Sequence, residues 1–297
     1  MPDTKKNSIV NLGEISKPAD TLIKKISKAV GGFFAPYQVR RLAKAEAEAV
    51  IIKAQAEIEI TDLHRRAAHR FIEEEAQRQR NMEDITAKAL PHLKPDANPD
   101  DVDDDWIANF FNRSRIVSET QMQDLWARVL AREANTPGAC SRRTVNVLSD
   151  LDKGDAALFT ALCGFGWVLG NVVPLVFQED EEIYRQNGVT FDSLSHLESI
   201  GLVQFNSFVG FRRLRLPKTV TVLYYGRPLL LEMPKQSDNE LGVGKALLTR
   251  AGQELAPICG SRPVEGFWEY VQEKWKQHLP SSETDARSPG EIPAIDP

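Results

Sequence analysis

A chain of 297 residues, 42% of them hydrophobic, has an ordinary soluble, globular composition with room for two domains and a real core. Cys140, Cys163 and Cys259 lie far apart with no CxxC spacing, no stretch reaches about eighteen apolar residues, and the first residues lack the apolar run of a signal peptide, so a disulfide framework, a zinc site and an integral membrane protein are not expected, and a cytoplasmic location is. The net charge of -5 is uneven: residues 1 to 44 hold nine Lys or Arg against three acids, which leaves -11 for the rest and suits an anionic partner for the amino terminus alone.

The basic head, residues 1–37, contains "ADTLIKKISKAVGGFFAPY". Leu22, Ile26, Val30 and Phe33 fall on one face of a predicted helix and Lys24, Lys25 and Lys28 towards the other, with Gly31 and Gly32 ending it and Phe34 following. A short basic amphipathic helix of this kind suits an anionic membrane surface, here the inner face of the cell membrane, or a groove on another protein. The alternative is a helix folded back on its own chain.

Residues 38–93 form the next unit. The stretch "RLAKAEAEAVIIKAQAEIEI" alternates like a strand, but its alternating alanines offer little to bury, while Ala, Glu, Lys and Gln are strong helix formers. No Gly or Pro occurs from Gln38 to Leu90, so one long helix is predicted. Its stripe, Leu42, Ala45, Ala49, Ile52, Ala56, Ile60, Leu63, Ala67 and Phe71, has a mean spacing of about 3.6, the period of a straight helix. Such a seam predicts a coiled-coil-like stalk that self-associates, against the alternative of an alanine-rich helix lying on its own chain. Asp62 with Arg66 and Glu74 with Arg78 stand acid-first at i, i+4 on the outer face. The run from Glu73 to Asn81 interrupts the seam, which resumes at Met82, Ile85, Ala89 and Leu93.

An acidic linker, 94–105, precedes a small helical module, 106–150. In the linker, "DANPD" starts like a calcium loop but has Asp101 where the turn needs Gly and Ile107 where the loop needs Glu, so helix-capping acids are the better reading. Within the module, Ser118 is the predicted N-cap of "ETQMQDLWARVLAREA", and "SRRTVNVLSDL" begins another helix. Residues 151–279 change character. "DKGDAALFTALCGFGWVLG" reads as a buried helix, "VTFDSLSHLESIGLV" as a second ended by Gly201, and "FRRLRLPKTVTVLYYGRPLLLEM" as two or three strands with a turn at Gly226. A strand entering a helix capped by Thr249 follows, and a closing helix carries Phe267, Val271 and Trp275. The order is that of a winged-helix domain. The tail, 280–297, is rich in Pro, Ser and acids and is predicted to be disordered. The fold class is therefore mainly α with a small α+β part: a long amino-terminal helix, a helical module and a winged-helix-like domain.

The phrases "LWARVLAREANTPGACSRRT", "LDKGDAALF", "LESIGLV" and "LTRAGQELA" resemble a bacterial family known mainly as a domain of unknown function, over a span from about Asn11 to His278 that includes the "KAEAEA" helix. The helical centre is also distantly similar to the abortive-infection alpha group. What that second resemblance implies is a role in defence against phage, with no catalytic residues to carry over.

No recognisable catalytic chemistry is found. "NELGVGKALL" has Asn239 and Ala246 where a phosphate loop needs Gly and Ser or Thr, and Leu247 where a dinucleotide loop needs its last Gly. The five histidines are dispersed, and there is no GxSxG elbow. The expected function is a non-enzymatic, self-associating interaction protein without a cofactor, its partners being further copies of itself and either an anionic membrane surface or another protein. The alternative is a winged-helix nucleic-acid-binding regulator. Against it, residues 189–202 contain no Lys or Arg but do contain Asp192 and Glu198, which phosphates would repel. In its favour stand Arg212, Arg213, Arg215 and Lys218 in the wing, although these side chains also fit the outward positions of an exposed strand.

Overall fold

The computed structural model describes residues 16–30 and 62–280. Within that range the chain is mainly helical with small antiparallel sheets, and it divides into two compact units, one of residues 16–30, 62–157, 200–202 and 250–260, the other of residues 158–199, 203–249 and 261–280.

The first unit is built from helices. α1 (Lys17–Ala29) has Pro18 in its first turn, where a missing N–H costs nothing. α2 (Asp62–Ala89) is 28 residues long and is ended by a 3-10 turn at Leu90–His92 that contains Pro91. Both acid-first pairs predicted on α2 form, Asp62 to Arg66 at 2.5 Å and Glu74 to Arg78 at 3.6 Å. The acidic linker is structured within the described residues: a 3-10 turn, Pro99–Asp101, leads to Asp103, whose carboxylate accepts the Trp106 N–H at 2.8 Å and caps α3 (Asp104–Ser114). The cap of α4 (Thr120–Asn135) is Glu119, one residue after the expected Ser118, and its carboxylate accepts from the Met122 N–H at 2.7 Å, the third donor of the helix that starts there. Ser141 caps α5 (Arg142–Asp150). Trp106 stacks on Phe110 and Trp126 meets Phe110 edge-on, both at 5.1 Å, forming an aromatic centre that α1, α2 and α5 extend with Leu22, Ile26, Ile85 and Leu148.

A carboxylate ties distant segments of this unit together. Glu254, on the short helix α9 (Arg250–Leu255), accepts from the Ser141 N–H at 2.6 Å, the Thr144 hydroxyl at 2.5 Å and the Arg250 guanidinium at 2.8 Å. Burial pulls its carboxyl upward, but these three donors outweigh burial and hold it below the usual Glu range.

α6 (Lys153–Cys163) begins in the first unit and ends in the second. The sequence suggests a helix as far as Gly170. Instead, Gly164 and Gly166 end it, and Gly166–Leu169 becomes strand β1, turning at Gly170 (φ +76) into β2 (Asn171–Pro174). Two glycines within three residues remove helix propensity, and a Cβ at Gly164 would approach the Ala161 and Arg262 carbonyls to 3.0 Å.

The second unit continues with α7 (Glu182–Arg185), α8 (Phe191–Ser199), β3 (Val203–Phe205), β4 (Phe211–Leu216), β5 (Thr219–Tyr224), β6 (Arg227–Glu232), β7 (Asn239–Gly244), β8 (Ala246–Leu248) and α10 (Phe267–Lys274). Its sheets run β2-β1-β5-β6, β3-β8 and β4-β7, all antiparallel. The β5–β6 hairpin turns on Tyr225 (φ 48) and Gly226 (φ 84), two left-handed residues as a tight hairpin requires. Between β3 and β8, where the sequence suggests a wing, β4 pairs with β7, while β5 and β6 extend the β1–β2 sheet. The core is aromatic. Trp167 stacks between Trp268 at 5.2 Å and Tyr224 at 5.0 Å, and Phe165 meets Phe267 edge-on at 4.8 Å. Phe267, Val271 and Trp275 of the closing segment are all buried, as their spacing predicts.

Candidate functional site

Three surfaces carry the residues singled out in the sequence, and a fourth was not anticipated. On the basic head, Leu22 and Ile26 are fully buried against the unit's own 3-10 turn at 99–101 and α3. Lys25 fastens that arrangement, its ammonium standing 2.8 Å from the Asp100 carbonyl and 3.0 Å from the Asp104 carboxylate. The hydrogen bond from Lys25 lowers the Asp104 pKa, and Asp20 raises that of Lys24, 2.7 Å away. Lys24 and Lys28 are exposed and Val30 is half-buried, while Phe33 and Phe34 lie outside the described residues. The apolar face proposed for a membrane or a partner is thus occupied by the chain itself at Leu22 and Ile26.

The helical seam has the opposite character. Leu42, Ala45, Ala49, Ile52, Ala56 and Ile60 lie outside the described residues. On α2, Leu63 is 65% exposed and Phe71 62% exposed, with Ala67 also open between them, so no described segment covers this row at i, i+4 and i+8. One turn beyond the polar run the same helix turns inward: Ile85 and Ala89 are fully buried against α4, and Asn81 is satisfied by the Arg115 carbonyl at 2.8 Å.

In the segment expected to form a wing, β4 brings Arg212, Arg213 and Arg215 together, and Lys218 begins the next turn, all four exposed. Arg212 is engaged with Glu240 at 3.2 Å, whereas no ion pair involves Arg213, Arg215 or Lys218 among the described residues. Register shifts on either side of Arg212 and Arg213 break the simple outward alternation of the strand. Phe208, 96% exposed, and Val209 stand at the neighbouring turn. On α8, Glu198 accepts the Phe205 N–H at 2.9 Å and so has a structural task. The tempting glycines of "GVGK" have one too. At Gly244 (φ +90) a Cβ would lie 2.4 Å from the Val176 carbonyl oxygen, in line with the bridge between those residues, and Lys245 pairs with Glu179 at 2.8 Å.

The unanticipated feature is a cavity of about 400 Å³ in the first unit, walled by α4, the 92–94 turn and the 257–260 segment. Arg128, Arg132, Lys94 and His92 line it, and among the described residues no acidic side chain does. Asn135 builds its rim, donating to the His92 carbonyl at 2.9 Å and accepting the Lys94 N–H at 2.8 Å. The sequence signal was present in "ARVLAR", where two arginines sit at i, i+4 on one helix face. What it lacked was the turn that brings Lys94 to them.

Among the described residues no helix is long and apolar enough to cross a membrane, and no cluster of three or more His, Cys, Asp or Glu could hold a metal ion. No curated protein and no solved structure matches the chain. A family model does match, over residues 65–272, starting within α2 and running into α10. By that match across most of its length, the chain belongs to the family described as a protein of unknown function, DUF2806.

Proposed function

We propose that this protein is a non-enzymatic interaction protein that assembles with further copies of itself through the amino-terminal half of α2 and the helical sequence before it. The observation that carries this reading is the uncovered row Leu63, Ala67 and Phe71. It is the end of a nine-position stripe in the sequence, and a row that continues with mostly alanine and isoleucine suits close approach of an identical helix. The long helix as a coiled-coil-like stalk is part of the same proposal. Sedimentation of the intact chain over a range of concentrations is the test. A molar mass at a multiple of 33.3 kDa that falls on dilution supports self-association, and a single species at 33.3 kDa at every concentration counts against it. A place in antiphage defence extends this reading and rests on the resemblance of the helical centre alone. Membrane contact by the basic head, in this proposal, requires α1 to leave its seat, because Leu22 and Ile26 are otherwise covered.

A second reading, a winged-helix-like regulator that meets nucleic acid through its wing, draws support from Arg213, Arg215 and Lys218, which stand without ion-pair partners among the described residues. Contacts of that kind are to phosphate and carry no sequence preference. Binding to duplex DNA that weakens steeply with salt and is lost on Arg213→Ala with Arg215→Ala would support it. Binding indifferent to those substitutions would remove it.

A further inference from the structure

We infer that the basic cavity of the first unit binds the phosphate group of a small phosphorylated molecule, a reading that does not depend on self-association. Arg128 and Arg132 lie one turn apart on α4 and face the same cavity as Lys94. Like charges at this spacing repel, and the chain as a whole is acidic, so the grouping calls for an anion. The neighbouring acids do not supply it. Asp124, one turn before Arg128, gives its carboxylate to Lys88 at 2.9 Å and only its backbone carbonyl to Arg128 Nε at 3.2 Å. Glu133, next to Arg132, spends both oxygens on backbone N–H groups, of Gly138 at 2.7 Å and of Cys140 at 2.8 Å. The Nε of Arg132 is buried and has no hydrogen-bond partner among the described residues, and the group beside the guanidinium, the Cys140 thiol, is kept neutral by burial and supplies no anion.

The shape agrees with the charge. About 400 Å³ is the size of a site for a small molecule rather than for a duplex. Guanidinium forks match phosphate oxygens two at a time, with Lys94 adding a mobile third charge at the rim. Ala131, Ala139, Pro257 and Ile258 supply an apolar wall for the rest of the ligand. At Gly260 (φ +83), a Cβ would lie 2.8 Å from Arg128 Nη1, so this position keeps the guanidinium free to sit where it does.

The test is calorimetric titration of the full chain in low-salt buffer with inorganic pyrophosphate and with adenosine 5′-monophosphate, adenosine serving as the phosphate-free control. Binding of either phosphate probe and none of adenosine is expected, weakened at least tenfold in Arg128→Gln with Arg132→Gln and several-fold in Lys94→Gln, and unchanged in Arg213→Gln with Arg215→Gln. Circular dichroism and thermal melting without ligand check that the variants fold. If the double variant does not, Arg128→Gln alone, on a half-buried side chain, carries the comparison. Failure of both phosphate probes to bind the natural chain at millimolar concentration overturns the inference, as does binding that survives the Arg128 substitution.

Discussion

α1 and the first half of α2 carry the same signature in the sequence, an apolar stripe at helical spacing with charges opposite, and they have opposite surroundings. In α1 the stripe is fully buried at Leu22 and Ile26 beneath α3 and the 99–101 turn, and Lys25 holds the acids at the edge. In α2 the stripe is open at Leu63 and Phe71 and buried only beyond Asn81. Periodicity identifies a face but not its cover, since the cover is a tertiary fact set by residues far away in the chain.

Substitutions on the two helices should therefore separate sharply. The largest effect is expected for Ile26→Asp, which places a carboxylate in a fully buried apolar seat and should cost several kcal/mol, read as a large drop in the thermal midpoint of the first unit. A stability close to that of the natural chain would mean that α1 does not occupy this seat in solution. Next comes Glu254→Gln, which replaces a carboxylate accepting three hydrogen bonds by an amide with one acceptor oxygen, at about 1–2 kcal/mol near neutral pH. Its pH dependence has a definite sign. The folded pKa lies below the ordinary value, so this stabilisation is complete above about pH 4.3 and is lost as pH falls through the depressed folded value, where natural and variant chains should converge. Denaturant melts at pH 7 and near pH 3 provide the comparison. Lys25→Met should have a smaller effect still, because the ammonium that it removes lies at the surface edge of the α1 seat. Repeating the melts in about 1 M salt, where screening acts over about 3 Å, should shrink the difference between the natural chain and Lys25→Met.

Much of the fold was legible because it depends on local chemistry. The helix beginning at "SRRTVNVLSDL", the turn at Gly226, the stop at Gly201 and the spacing of Phe267, Val271 and Trp275 each depend on one turn or hairpin. Elsewhere long-range pairing decides, and local pattern does not encode it. The helix expected through "CGFGWVLG" yields to β1 because residues 166–169 find a partner in β2 and, through Val168 opposite Leu223, in β5. The linker at 94–105 looked like a spacer, yet its Asp100 carbonyl and Asp104 carboxylate receive Lys25. The cavity residues were missed for the same reason. Arg128 and Arg132 are neighbours in sequence, but Lys94 joins them only through the Asn135 clamp on the preceding turn.

The smallest expected effect on stability belongs to Leu63→Asp combined with Phe71→Asp, because both side chains already face solvent in the single chain and surface changes usually stay within about 0.5 kcal/mol. The same pair should have the largest effect on assembly, by placing charges in an apolar seam between copies. Light scattering of the natural and doubly substituted chains at matched concentration tests this most directly. A multiple of 33.3 kDa is expected for the natural chain and 33.3 kDa for the variant, with both melting as folded proteins. An identical molar mass for the two would contradict it.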